Sequence, residues 1–181
     1  VRSVIQVDQS APTLTEADSD NDGIIDINEG FVDQDGDGIS AYLDNDDNTS
    51  RLPIRNSHYP IKTITGLQLK LGHVVNAAHG LSSDAASVTH EEFLQHGGKL
   101  GKEASNGKDV HFEKASQILN FVITNLPRKG LSVPVIIPLE VDQTIPENAI
   151  YRKYNQDTGW YSFVENANNT ISSALMDSNN N

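Results

Sequence analysis

The chain has no cysteine, one methionine and one tryptophan, and aromatic residues make up only 6% of it. Without cysteine there are no disulfides, no thiol nucleophile and no thiolate-bound zinc, although the compartment stays open. No stretch approaches the roughly 18 consecutive apolar residues of a membrane-spanning helix. No segment reads as a secretory leader, but a chain that opens at Val1 and stops in the polar run ending at Asn181 is expected to be a piece of something longer. Basic residues are scarce where they would matter most. Residues 1–50 hold thirteen carboxylates against Arg2 alone, whereas residues 51–181 hold twelve charges of each sign, so the whole formal charge of −12 lies in the first fifty residues. Such a segment repels a phosphate backbone, and no basic cluster with interleaved aromatics follows it. Nucleic acid is thereby excluded as a partner, and cations become the natural one.

With 36% hydrophobic residues in 181, one globular body with a core is expected. Residues 3–7 read as a short strand, and 1–17 as a linker or the tail of a preceding module. After a polar bridge at 49–60, the pattern turns to strands. Residues 63–71 alternate through Ile64, Leu67, Leu69 and Leu71, residues 118–126 are apolar and partly β-branched, and residues 132–139 carry valines and isoleucines between prolines. Residues 150–154 and 160–164 flank a five-residue connection ending in Gly159, the signature of a hairpin, and one more strand is expected near 170–176. The one helix expected runs over 89–96, where Thr89 and Glu92 form a capping box and Gly97 supplies the stop. Strands in this number predict a mainly β fold, a β-sandwich over 51–181 preceded by an irregular, ion-wrapped segment over 18–50.

The chemistry sits in that segment. Asp18, Asp20, Asp22, Asp26 and Glu29 stand at positions 1, 3, 5, 9 and 12 of a twelve-residue loop, with Gly23 at position 6 and the Ile24 carbonyl available at position 7. Calcium takes roughly six to eight oxygen ligands on a flexible cage, and aspartates at alternate positions can all turn inward once a glycine permits the bend. Fifteen residues on, Asp33, Asp35, Asp37, Gly38 and Ile39 repeat the pattern, closed by Asp44. Asp44 then begins a third, incomplete run through Asp46 and Asn48. Acidic runs are more commonly solvated and disordered, but here register, glycine and isoleucine recur together. Five carboxylates in the first loop against four in the second predict that the first binds more tightly. Only Gly30, Phe31 and Val32 separate the loops, too few for the helix that a pair of EF-hands or a dockerin needs. In this reading ions stand in for an apolar core.

Residues 18–48 resemble thrombospondin type 3 repeats in their bacterial form, in which Asp-x-Asp-x-Asp-Gly-Ile units alternate with Glu-Gly and Tyr-Leu-Asp closures. The resemblance implies a secreted or cell-surface protein whose loops fill with calcium at extracellular concentrations. One departure is Ala41, where the family usually has aspartate, so the second loop lacks its position-9 ligand. From Gly66 onward, residues 69–72, 88–93, 135–139, 145–154 and 159–168 are similar to the bacterial surface domain named choice-of-anchor U. That resemblance implies a β-rich fold at the cell surface, no known catalysis, and a domain that continues past residue 181.

Other residue types carry weaker signals. Of the six histidines, none has the spacing to glutamate of a zinc protease, and His90 and His96 read as parts of a capped surface helix. Glu91 and Glu92 could serve glycoside hydrolysis only at a carboxylate separation that sequence does not supply. Tyr151, Tyr154, Trp160, Tyr161 and Phe163 could form a sugar-binding platform, but alternating aromatics are more often half core and half cross-strand pairs. The leading expectation is a non-enzymatic calcium-binding module of a bacterial surface protein, an adhesin, in which calcium stiffens a spacer and orients the β-sandwich. Its partners would be neighbouring domains of the same chain and a glycan or surface protein. The alternative is a carbohydrate-binding or accessory module of a secreted hydrolase.

Overall fold

The computed structural model of the chain describes residues 11–97, 109, 112, 116–139, 145–155 and 157–174. The strand expected over 3–7 and the last residues of the one expected near 170–176 lie outside these, and residues 170–174 form no strand.

The acidic segment contributes one helical turn, α1 (Asp26–Glu29), and a 3₁₀ turn at Ala41–Leu43. After it come β1 (Arg51–Leu52), β2 (Ile61–Thr63), β3 (Gln68–Leu71), α2 (His73–His79), β4 (Ser87–Val88), α3 (His90–His96), β5 (Ile118–Leu119), β6 (Phe121–Thr124), β7 (Val135–Ile136), β8 (Arg152–Asn155) and β9 (Gly159–Ser162). Among the described residues the strands form small antiparallel sheets, ordered β1-β2-β7, β3-β6, β4-β5 and β8-β9, and none closes into a barrel. This arrangement is compatible with the mainly β expectation.

The expected strands are present in shortened form. The run 63–71 is divided: Gly66 takes φ +95°, the chain turns, and Ile64 stays exposed while Leu67, Leu69 and Leu71 are buried. Asn120 divides the run 118–126, because its backbone N–H bonds the Ala86 carbonyl at 2.7 Å while its carbonyl accepts from Gly72 at 2.9 Å. The hairpin forms with Asn155 opposite Gly159, whose φ of +74° suits only the residue without a Cβ.

Helix α3 forms where its capping box predicts, with the Thr89 N–H donating to Glu92 Oε2 at 2.7 Å and the Glu92 N–H donating to Thr89 Oγ at 3.2 Å. Helix α2 was not expected from sequence. It has no local side-chain cap; its first-turn N–H groups at Val74 and Val75 instead donate to Asn120 Oδ1 at 2.9 and 3.4 Å, a partner more than forty residues away. A Cβ on Gly72 would collide with that Asn120 side chain, so the glycine is what lets the two segments meet.

The core gathers Leu52 from β1, Ile61 from β2, Leu69 and Leu71 from β3, Val74 and Val75 from α2, Ala86, Val88 from β4 and Phe93 from α3. Burying each large side chain contributes about 1.5–3 kcal/mol before chain entropy is charged against it. Ile39 of the acidic segment belongs to the same cluster and is 0% exposed. From its sequence that segment is expected to have no apolar core of its own, and through Ile39 it shares the core of the β region.

Candidate metal centre

Both loops fold by the same local rule. The carboxylate of the first aspartate accepts the N–H of the sixth residue: Asp18 from Gly23 and Asp33 from Gly38, each at 3.1 Å. The third accepts from the fifth, Asp20 from Asp22 N–H at 3.1 Å and Asp35 from Asp37 N–H at 3.0 Å. The fifth accepts from the seventh, Asp22 from Ile24 and Asp37 from Ile39, each at 2.7 Å. Short side chains that bond the backbone two residues on are what aspartate supplies in tight turns. Positions 4 and 6 take positive φ in both loops, at Asn21 (64°) and Gly23 (97°), then Gly36 (76°) and Gly38 (100°), which asparagine and glycine tolerate best.

One oxygen of each aspartate is occupied by the backbone in this way, except at Asp33, whose second oxygen also accepts from the Gly36 N–H at 2.7 Å, and the carboxylates are left converging. Ligand atoms of Asp18, Asp20 and Asp22 all lie within 4.8 Å of one another, as do those of Asp33, Asp35 and Asp37, so each triplet could hold a metal ion. Asp18 Oδ1, Asp20 Oδ2, Glu29 Oε2 and Asp35 Oδ2 are buried and have no hydrogen-bond partner among the described residues. Leaving one buried acceptor unmet costs about 1–3 kcal/mol, more for a charged one, and a cation in each loop would satisfy the unmet oxygens of that loop. The donor set is carboxylate throughout, which suits a hard cation.

Electrostatics point the same way. The carboxyls of Asp20 and Glu29 are held above their ordinary range, first by burial and then by repulsion from neighbouring aspartates; for Glu29 those are Asp20, Asp22 and Asp18. Glu29 lies outside the cluster of mutually close ligand atoms that Asp18, Asp20 and Asp22 form, and it keeps one buried oxygen unpartnered. In the second loop burial also raises Asp35, with Asp33, Asp47 and Asp46 adding to the effect. Asp37, only 2% exposed, is pushed up to about 7 by burial, opposed by the Ile39 N–H and reinforced by Asp35 and Asp44. Burial pushes Asp44 up to about 6, helped by Asp35, Asp47 and Asp46, although Asp44 lies outside the cluster of mutually close ligand atoms that Asp33, Asp35 and Asp37 form.

The other expected ligands are placed differently. Asp26 directs both oxygens to Ser19, accepting from its N–H and its hydroxyl at 2.9 Å each, and so braces the loop. Asp46 pairs with Arg51 at 3.1 Å, and Asn48 Oδ1 accepts from the N–H and hydroxyl of Ser50. Ile24 is 49% exposed, while Ile39, expected only to lend a carbonyl, sends its side chain into the core. Sequence reasoning passed over Ser19, Asn45, whose amide donates to the Asp20 carbonyl at 2.8 Å, and Asp47. Of these only Asp47 carried a signal, by standing inside the third acidic run.

Packing and local hydrogen bonds engage several of the weaker candidates and leave others exposed. Glu92 is held below its ordinary value chiefly by the Thr89 N–H it caps, and its other oxygen lies 3.3 Å from His79 Nε2 and 3.9 Å from Arg55. The aromatic hairpin divides by face. Tyr154 and Trp160 stack on Phe93 with centroids 4.8 and 5.4 Å away, whereas Tyr151 and Tyr161 are each 41% exposed and Lys153 lies over Phe163 at 4.6 Å. Among the described residues no helix is long and apolar enough to cross a membrane. No protein-family model, no curated protein and no solved structure matches the chain.

Proposed function

We propose that residues 18–48 bind calcium and that the chain is a non-enzymatic, calcium-stiffened module of a bacterial secreted or cell-surface protein, an adhesin. The observation that carries this reading is the doubled loop: two triplets of aspartate that share three internal hydrogen bonds, with a buried carboxylate oxygen left unpartnered at Asp18 and Asp20 in the first and at Asp35 in the second. Asp18, Asp20, Asp22 and Glu29 would hold one ion, and Asp33, Asp35, Asp37 and Asp44 another. Calcium rather than magnesium is favoured because a loop of alternate carboxylates supplies a flexible, many-oxygen cage rather than a tight octahedron. The resemblance of the segment to thrombospondin type 3 repeats supports the same ion and an extracellular location, where loops of modest affinity fill. We read the small sheets as the layers of a β-sandwich, supported by the apolar cluster drawn from β1, β2, β3 and β4.

Elemental analysis after dialysis against millimolar calcium tests the binding. Retained calcium that falls by about half in Asp20→Asn and disappears in the Asp20→Asn, Asp35→Asn double variant supports one ion per loop; a wild-type chain that retains none refutes the proposal.

A further inference from the structure

We infer that the second loop is a clamp on the edge of strand β3, so that an ion held there orders the sheet, while an ion in the first loop does not. The inference rests on the calcium reading above and adds to it which of the two ions governs the fold. Strand β3 pairs with β6 along one edge. Along its other edge, alternate N–H groups are taken by the acidic segment and the residue just after it: Leu71 donates to the Asp37 carbonyl at 2.7 Å and Leu69 to the Thr49 carbonyl at 2.8 Å. Gln68 reaches the same way, its amide donating to the Asp35 carbonyl at 2.6 Å. An open strand edge carries a row of unpaired donors and acceptors, and here loop backbone covers it. Asp35 and Asp37 thus face two ways, with carboxylates converging inside the loop and carbonyls on the sheet. Gly38 lies so close to the strand that a Cβ on it would sit 3.3 Å from the Leu71 Cβ, and Ile39 continues directly into the core. Fixing the carboxylates around an ion therefore fixes the carbonyls that cover β3.

The first loop has the same interior and a different exterior. The Asp20 carbonyl is received by the Asn45 side chain, and the backbone of 26–27 bonds Ala17 and Thr15, so these ties close on the acidic segment and the residues just before it.

Hydrogen exchange at the Leu71 amide, followed by NMR in the whole chain, tests the clamp with calcium itself as the probe. Position 3 offers a matched pair of variants, Asp20→Asn and Asp35→Asn, because each aspartate accepts one backbone N–H on one oxygen and leaves the other unpartnered, so asparagine keeps the acceptor the loop backbone uses. In wild type, free calcium at one hundred times the dissociation constant should slow Leu71 exchange by about 100-fold, the factor by which binding to the closed state alone shifts the opening equilibrium. Asp20→Asn should retain that slowing and Asp35→Asn should lose it. If Asp35→Asn proves unfolded, wild type and Asp20→Asn still decide. Slowing that vanishes in Asp20→Asn or survives intact in Asp35→Asn overturns the clamp. Calorimetry on the same samples separates the two ideas: calcium heat without any slowing at Leu71 defeats the clamp alone, and absence of calcium binding defeats both.

Discussion

The first and second loops are nearly the same object placed in two environments. Three hydrogen bonds from backbone N–H to carboxylate recur in both and agree within about 0.1 Å, position by position, and the second loop adds a fourth from Gly36 to Asp33. Yet position 5 is exposed in the first loop, as Asp22, and buried in the second, as Asp37, while position 7 is half-exposed Ile24 in one and fully buried Ile39 in the other. Local chemistry alone closes the loop, because aspartate and glycine at these spacings satisfy their own backbone. What the closed loop is worth to the rest of the molecule depends on what it leans on.

The largest difference is expected at position 7. Ile39→Ala removes methylene groups from a packed core and should cost about 2–4 kcal/mol of unfolding free energy, whereas Ile24→Ala should stay within about 0.5 kcal/mol. Urea unfolding of both variants in saturating calcium reads this directly, and equal costs would mean that the second loop does not lean on the sheet.

Acidity should separate the calcium-free and calcium-bound forms next. Asp37 at about 7 and Asp44 at about 6 stand above the ordinary carboxylate value, so the calcium-free fold binds more protons than the unfolded chain. Its stability from these groups is fully present below about pH 4 and is lost as pH rises through about 6 and 7, at no more than about 1.4 kcal/mol per pH unit for each group. Glu92, held below its ordinary value, works in the opposite sense but only at the acid end, where falling pH removes its contribution. Between pH 5.5 and 8 the melting temperature of chelated protein should therefore fall as pH rises, and in saturating calcium it should not, because protons compete with the ion. Asp37→Asn should flatten the calcium-free dependence and raise stability at pH 8. A chelated protein that melts higher at pH 8 than at pH 5.5 would show that Asp37 is not buried as described.

A smaller contrast lies at position 6. Gly23 and Gly38 share a backbone conformation that L residues resist, so alanine at either should cost about 1 kcal/mol. A Cβ on Gly23 meets nothing within 4 Å while one on Gly38 presses on Leu71, so Gly38→Ala should cost about 1 kcal/mol more. Thermal unfolding of the pair measures the difference.

How much of this was visible in sequence follows the same division between local and distant causes. The loops, the capping box of α3 and the hairpin at Gly159 are each decided within about a dozen residues, and each formed where spacing placed it. Helix α2 was invisible because Asn120, its cap, lies far along the chain. Residues 63–71 read as one strand because alternation records burial but not the turn that Gly66 allows. Ile39 read as a backbone ligand because nothing local says that Leu71 will arrive beside Gly38.

The smallest contrast concerns affinity. By carboxylate count the first loop leads five to four, but with Asp26 directed to Ser19 the sets become Asp18, Asp20, Asp22 and Glu29 against Asp33, Asp35, Asp37 and Asp44. The two dissociation constants should then lie within about tenfold, or about 1.4 kcal/mol. In calorimetric titrations Glu29→Gln should weaken the first site more than Asp26→Asn does; the reverse would return Asp26 to the ligand set.

The central claim, that the doubled aspartate loops hold calcium, is tested most directly by titrating calcium into the chelator-stripped chain in a calorimeter, with magnesium as the competitor. Saturable binding of at least one ion in each loop is expected, lost loop by loop in Asp22→Ala and Asp37→Ala and little affected by millimolar magnesium. A stripped chain that gives no saturable heat with millimolar calcium, or that takes magnesium equally well, contradicts it.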